Sequence, residues 1–115
     1  MSDSIERESL DSLASQMGGG EALKRIIGMY VDKLPGEVES LREALETGDL
    51  ERLKASAHRL KSSSGQLGAK RLADLLAELE RQSGEQDRQA AAASVAGIET
   101  EARRVVADLS EYRDG

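Results

Sequence analysis

Apolar residues recur at helical spacing along the whole chain, the mark of amphipathic helices that each bury one face. Leu10, Leu13, Ala14 and Met17 follow i, i+3, i+4, i+7 and predict a short first helix, with Asp3 and Glu6 placed as a capping box ahead of it. Gly18-Gly19-Gly20 breaks that helix. A longer stripe of Leu23, Ile26, Ile27, Tyr30, Val31 and Leu34 continues through Val38, Leu41, Ala44 and Leu45 to Gly48, a residue suited to a C-terminal stop. Pro35 lies inside this stripe. It lacks an N–H and restricts the residue before it, so a kink or a split is expected there. Asp49 is placed to cap a third helix carrying Leu50, Leu53, Ala57, Leu60 and Ser64, which Gly65 and Gly68 end. Ala69, Leu72, Ala73, Leu76 and Leu79 mark a fourth, closed by Ser83-Gly84. After a polar link, Val95, Ile98, Ala102, Val105, Leu109 and Tyr112 alternate spacings of three and four, a seam suited to antiparallel packing.

No segment alternates with a period of two. The predicted fold is therefore all-α: an antiparallel four-helix bundle with a short extra N-terminal helix, forming one domain over residues 1–115.

Composition narrows the chemistry. The 115 residues include no Cys, no Trp, no Phe, two Tyr and one His, so the core is aliphatic. Without Cys there is no disulfide, thiol catalysis or zinc ribbon. A single His excludes sites that need two imidazoles, such as ferritin-like metal centres. Gly18-Gly19-Gly20 follows no strand and lacks the G-x-x-x-x-G-K pattern, so it does not read as a nucleotide loop. A net charge of −6 argues against nucleic acid as a partner. No apolar run approaches the about 20 residues of a membrane span, and no leader pattern opens the chain. The protein is expected to be soluble, cytoplasmic and monomeric.

The third helix holds the one His. At about 100° per residue, with Leu53 set at 0°, Leu50, Ala57, Leu60, Ser64 and Leu67 fall between about −40° and +60°. His58 lies at about 140°, well outside this arc, with Lys61, Lys54, Gly65 and Ser62 between about 80° and 180°. His58 thus points outward among two lysines and two small residues. From Arg52 to Arg71 there are six cations (Arg52, Lys54, Arg59, Lys61, Lys70 and Arg71) and no acid. The charge balance is +6 in this window and −12 elsewhere, whereas a solvated helix usually mixes signs. A basic face around an exposed imidazole suits an anion, either a phosphoryl group on the ring or an acidic pocket on a partner. A neutral imidazole nitrogen is both a nucleophile toward phosphorus and a leaving group from it. Lys61 is placed one turn on to meet phosphoryl oxygens, and the small Ser62 and Gly65 leave room for another protein to reach the ring.

The stretch Ala57-His58-Arg59-Leu60-Lys61-Ser62-Ser63-Ser64-Gly65-Gln66-Leu67-Gly68 resembles the signature of the histidine-containing phosphotransfer (HPt) family. The resemblance lies in a His, a Lys three residues later, a run of small residues and an aliphatic–Gly pair. It covers about residues 8–112. Ser62 departs from it, since Gly is usual there. The resemblance implies a helical bundle in which His58 carries a phosphoryl group on Nε2. It also implies partners: the receiver domain of a hybrid sensor kinase and that of a response regulator. The chain itself would need no cofactor or metal, with Mg2+ supplied by the receiver. A polar residue late in the following helix, Glu80 or Gln82, is expected to touch the ring. Docking is expected on an aliphatic patch that includes Leu13, Met17 and Ile27. The competing reading is a structural or adaptor bundle in which His58 has no role.

Overall fold

A computed structural model describes residues 4–115, which form five helices and, among the described residues, no strand. They are α1 (Arg7–Gln16), α2 (Gly20–Thr47), α3 (Leu50–Gln66), α4 (Lys70–Gly84) and α5 (Arg88–Asp114). Helices α2, α3, α4 and α5 close a ring, each packing on the next and α5 returning to α2, while α1 leans on α2. At 1.5 Å per residue the 28 residues of α2 span about 42 Å. That is the full long dimension of the molecule, so α2 sets the height of the bundle.

The connections follow from local chemistry. Gly48 ends α2 in the left-handed conformation (φ +76°), with its own N–H and that of Asp49 turned back onto Leu45 and Ala44. Asp49 then starts α3, its carboxylate accepting from the Arg52 N–H at 3.1 Å. Asp87 starts α5 in the same way, by accepting from Ala90 N–H. At the start of α1, Glu6 holds the capping position in extended backbone and accepts from Ser9 Oγ. Asp3, the other half of the expected capping box, lies outside the described residues.

Of the two expected breaks, the structure excludes a split at Pro35 and moves the end of α3. Helix α2 runs through Pro35 without a split. Pro35 is on the exposed face, whereas Val31, Leu34 and Val38 around it are buried. Packing of these side chains outweighs the lost backbone hydrogen bond. Gly65 does not end α3, which continues to Gln66; Gly68 makes the turn, with φ +76° and Ala69 N–H reaching back to Ser64 O at 2.9 Å.

The core is aliphatic, as the composition requires, with Leu10, Leu23, Leu34, Leu41, Leu53, Leu72, Leu76, Leu79, Ile98 and Leu109 among its fully buried side chains. Ser64, placed on the buried arc by the helical wheel, is fully buried and shares a 2.5 Å hydrogen bond with Tyr30. The segment before α1 also joins the core. Ile5 is buried, and Glu6 N–H donates to Gly68 O at 2.9 Å. A lone apolar residue ahead of a helix has no period, so no sequence pattern marks this contact.

Candidate functional site

His58 stands in the middle of α3 with its side chain 62 % exposed. It faces outward because the buried face of α3 is already taken by Leu53, Ala57, Leu60 and Ser64. The ring is nevertheless anchored. Nδ1 lies 2.9 Å from Oε2 of Glu80, on α4. The other oxygen of the same carboxylate, Oε1, accepts from Lys61 Nζ at 2.8 Å. One carboxylate therefore holds both the imidazole and the lysine one turn further on, leaving the Nε2 edge of the ring directed away from Glu80.

Glu80 is only 22 % exposed. It follows Leu76 by four residues and so sits at the rim of the buried face of α4. The Lys61 hydrogen bond holds its carboxyl below the ordinary carboxylate range, against the opposing pull of burial and with further help from His58. Of the two candidates for touching the ring, Glu80 is thus the one that does. Gln82 is turned elsewhere, accepting from Ser94 Oγ at 2.6 Å and donating to Glu78.

The remaining predicted site residues lie around this triad. Ser62 and Gly65 are exposed. A Cβ placed on Gly65 would meet only Ala73 Cβ, at 3.9 Å, so the small residue is not demanded by packing and leaves the surface low near the ring. Lys54 borders the same hollow as His58 and Glu80, but its side chain crosses the end of α4: a Cβ on Gly84 would fall 3.5 Å from Lys54 Nζ. There the ammonium complements the negative end of the α4 dipole.

The uniform positive charge read from α3 is largely balanced in three dimensions. Arg59 faces Glu37, Lys61 faces Glu80, Lys70 faces Glu6 and Arg71 faces Glu101, each within 4 Å. Their acids come from the N-terminal segment and from α2, α4 and α5, so the expected basic patch is a set of inter-element ion pairs. Arg52 bonds Ser40 Oγ, and Lys54 has no carboxylate partner among the described residues.

Beside the site runs an apolar groove of about 660 Å³ between α1, α2 and α3, whose walls include Leu13, Met17, Ile26, Met29, Leu60 and Leu67. Arg59 borders both this groove and the hollow at His58. Leu13 and Met17 are half-buried here. Ile27 is a correction: it is 0 % exposed and belongs to the core. The exposed apolar side chains of α2 are instead Ile26, at 40 %, and Met29, at 61 %. With Leu23 at 0°, the buried residues Ile27, Tyr30, Val31 and Leu34 span about −20° to +80°, while Ile26 falls at about −60° and Met29 at about −120°. That offset was the available signal.

Among the described residues no cluster of three or more His, Asp or Glu could hold a metal ion, and no helix is long and apolar enough to cross a membrane.

Residues 25–113 match the family model of the Hpt domain. Among solved structures, histidine-containing phosphotransfer protein B (HptB) from Pseudomonas aeruginosa PAO1 superposes with a TM-score of 0.90 at 26 % identity, over 99 % of this chain and 97 % of that one. No curated relative matches the chain.

Proposed function

The chain belongs to the Hpt domain family, and from that premise we propose that His58 is the residue through which it carries a phosphoryl group between receiver domains. Proteins of this family take part in phosphorelays as phosphotransfer carriers, not as kinases. The observation that carries the assignment is the exposed, anchored ring of His58, the one imidazole in the chain. An adaptor bundle needs neither the exposure nor the anchoring.

In the forward step Nε2 attacks the phosphorus of a receiver aspartyl phosphate. The P–O bond breaks, and its electron pair returns to the aspartate carboxylate. The return step breaks the N–P bond and passes the group to an aspartate of a second receiver. The donor is a hybrid sensor kinase receiver and the acceptor a response regulator receiver. Each receiver brings its own Mg2+ and acidic pocket. Low relief at Ser62 and Gly65 admits that pocket to the ring. The groove lined by Leu13, Met17, Ile26 and Met29 gives the receiver an apolar surface to dock against. Lys61, one turn from His58, and Lys54, beside the hollow, supply positive charge near the phosphoryl group. The carrier works as a monomer, since most of its helical stripe residues are buried within one chain.

Incubation with a receiver domain charged with radiolabelled phosphate tests the assignment. Wild type should acquire acid-labile, base-stable label, and His58→Gln should acquire none. Label on His58→Gln equal to wild type would overturn it.

A further inference from the structure

Helices α1, α2, α3 and α4 all close with the same turn. One residue donates its N–H three positions back, and the N–H after it reaches five back. The pairs are Gly18 to Ser15 with Gly19 to Ala14, and Gly48 to Leu45 with Asp49 to Ala44. They recur as Gly68 to Gly65 with Ala69 to Ser64, and Gln86 to Ser83 with Asp87 to Gln82. The first residue of each turn has positive φ; in three turns it is glycine, and in the fourth it is Gln86, at φ +58°. Gln86 is the one non-glycine residue with positive φ among the described residues. Such backbone crowds the Cβ of an L side chain against the following carbonyl, a cost that glycine escapes. Nothing inside the chain offsets it. Gln86 is exposed, and its amide has no hydrogen-bond partner among the described residues.

The turn of Gln86 differs from the other three in its place. Gln86 lines the hollow of about 580 Å³ that holds His58, together with Leu50, Lys54 and Ser83, and none of the three glycines borders it. Leu50 precedes His58 by two turns of α3, so the hollow extends about 12 Å from the ring. The apolar groove lies between α1, α2 and α3, and the hollow between α3 and α4. Arg59 borders both, so the two surfaces are continuous and flank α3 on either side of the phosphosite. A partner that buries about 800 Å² of one protein covers a disc roughly 16 Å in radius. Centred on His58, such a footprint reaches Gln86.

Resting on the reading of His58 as the phosphoryl carrier, we propose that Gln86 is a receiver-contact residue. Its amide donates to an oxygen of the docked receiver on the α4 side of the phosphosite, and the left-handed turn presents that amide over the hollow. The groove on the α2 side supplies apolar area, which many surfaces of similar shape can meet. The amide adds a selective contact, because a receiver without a matching acceptor leaves it unpaired in the interface.

Two variants separate the side chain from the backbone. Gln86→Gly removes both the amide and the backbone cost, whereas Gln86→Ala removes the amide and keeps the cost. The full-length variants are compared with wild type by urea unfolding and by phosphotransfer from a receiver domain charged with acetyl phosphate, over a range of receiver concentrations. Gln86→Gly should raise the urea midpoint by roughly 0.3–0.5 M, and Gln86→Ala should leave it unchanged. Both should raise the KM for the receiver roughly three- to tenfold, the scale of one lost hydrogen bond, with kcat unchanged. A purely structural role moves the midpoint and leaves KM alone. Wild-type KM in both variants overturns the proposal, as does a rise in Gln86→Gly alone, which traces the effect to the backbone. A wild-type protein that takes no label overturns the carrier reading and this contact with it. Normal wild-type transfer with unaltered variants overturns the contact alone.

Discussion

The hydroxyls of Tyr30 and Ser64 lie 2.5 Å apart in the interior and tie α2 to α3 just beyond the turn that bears His58. Both residues are buried, Ser64 completely, so neither hydroxyl has water as a substitute partner. Tyr30→Phe or Ser64→Ala should each cost about 1–2 kcal/mol by leaving one buried polar group unpaired. The double variant should cost less than the sum of the two. Urea denaturation of the four proteins measures this, and strict additivity would contradict the contact.

The same burial controls the alkaline limit of the fold. Burial pushes Tyr30 up to about 12, with the Ser64 hydrogen bond opposing it. Tyr112 also rises to about 12, through burial and then its bond to the Asp11 carboxylate. A raised folded pKa means the folded state prefers the neutral phenol. The stability from Tyr30 is therefore intact below the unfolded tyrosine value of about 10 and is lost as pH climbs toward 12, by about 3 kcal/mol at most. With two tyrosines in the chain, ultraviolet titration of tyrosinate reads this directly. Native protein should titrate near 12 and urea-unfolded protein near 10; coincident curves would exclude the shift.

Two glycines with the same backbone angle should respond differently to alanine. Gly48 and Gly68 both have φ +76°. A Cβ at Gly48 meets only Arg88 Nη1, at 3.6 Å, whereas at Gly68 it falls 3.0 Å from Glu6 O and 3.2 Å from Glu6 N. Gly48→Ala should cost about 1 kcal/mol from the backbone angle alone. Gly68→Ala should cost about 2 kcal/mol or more and loosen the segment around Ile5, seen as faster amide exchange at Glu6. Equal costs would show that the Glu6 contact yields freely.

Pro35→Ala should raise stability by about 1–3 kcal/mol, because it restores an N–H donor to the Val31 carbonyl in an unbroken helix. Pro35 is exposed, so removing the ring opens no core cavity. A lower denaturation midpoint would mean that the helix depends on the ring.

The groove should separate docking from folding. Ile26→Glu and Met29→Glu alter exposed side chains and should change stability by no more than about 0.5 kcal/mol. Both should weaken the apparent affinity for a phosphorylated receiver about tenfold, as loss of a central interface contact does. Ile27→Ala, one position away but fully buried, should instead cost about 2–5 kcal/mol of stability. Normal receiver affinity in both glutamate variants would place docking elsewhere.

Much of this molecule was legible one helix at a time. The i, i+3, i+4 stripes located all five helices, Gly48 and Asp49 marked a real stop and a real cap, and the wheel of α3 put His58 outside and Ser64 inside. Those features depend on local backbone geometry and on the phase of one helix. Neighbouring residues of similar chemistry were harder. Ile26 and Ile27 are about 100° apart; the wheel offset sets Ile26 outside the buried arc, and the positions of α1 and α3 made it a wall of the groove while Ile27 became core.

The charge of the site shows the same division. From sequence alone came the helical bundle, the outward-facing His58 and an acid-free run of six cations on and beyond α3. Tertiary structure decided what those cations face. Glu37, Glu80, Glu6 and Glu101 arrive from other parts of the chain to meet four of them, and Glu80 joins His58 to Lys61 across 22 and 19 positions of sequence. Periodicity records which way a side chain points from its own helix axis. It carries no record of the partner helix, whose approach depends on packing of the shared core.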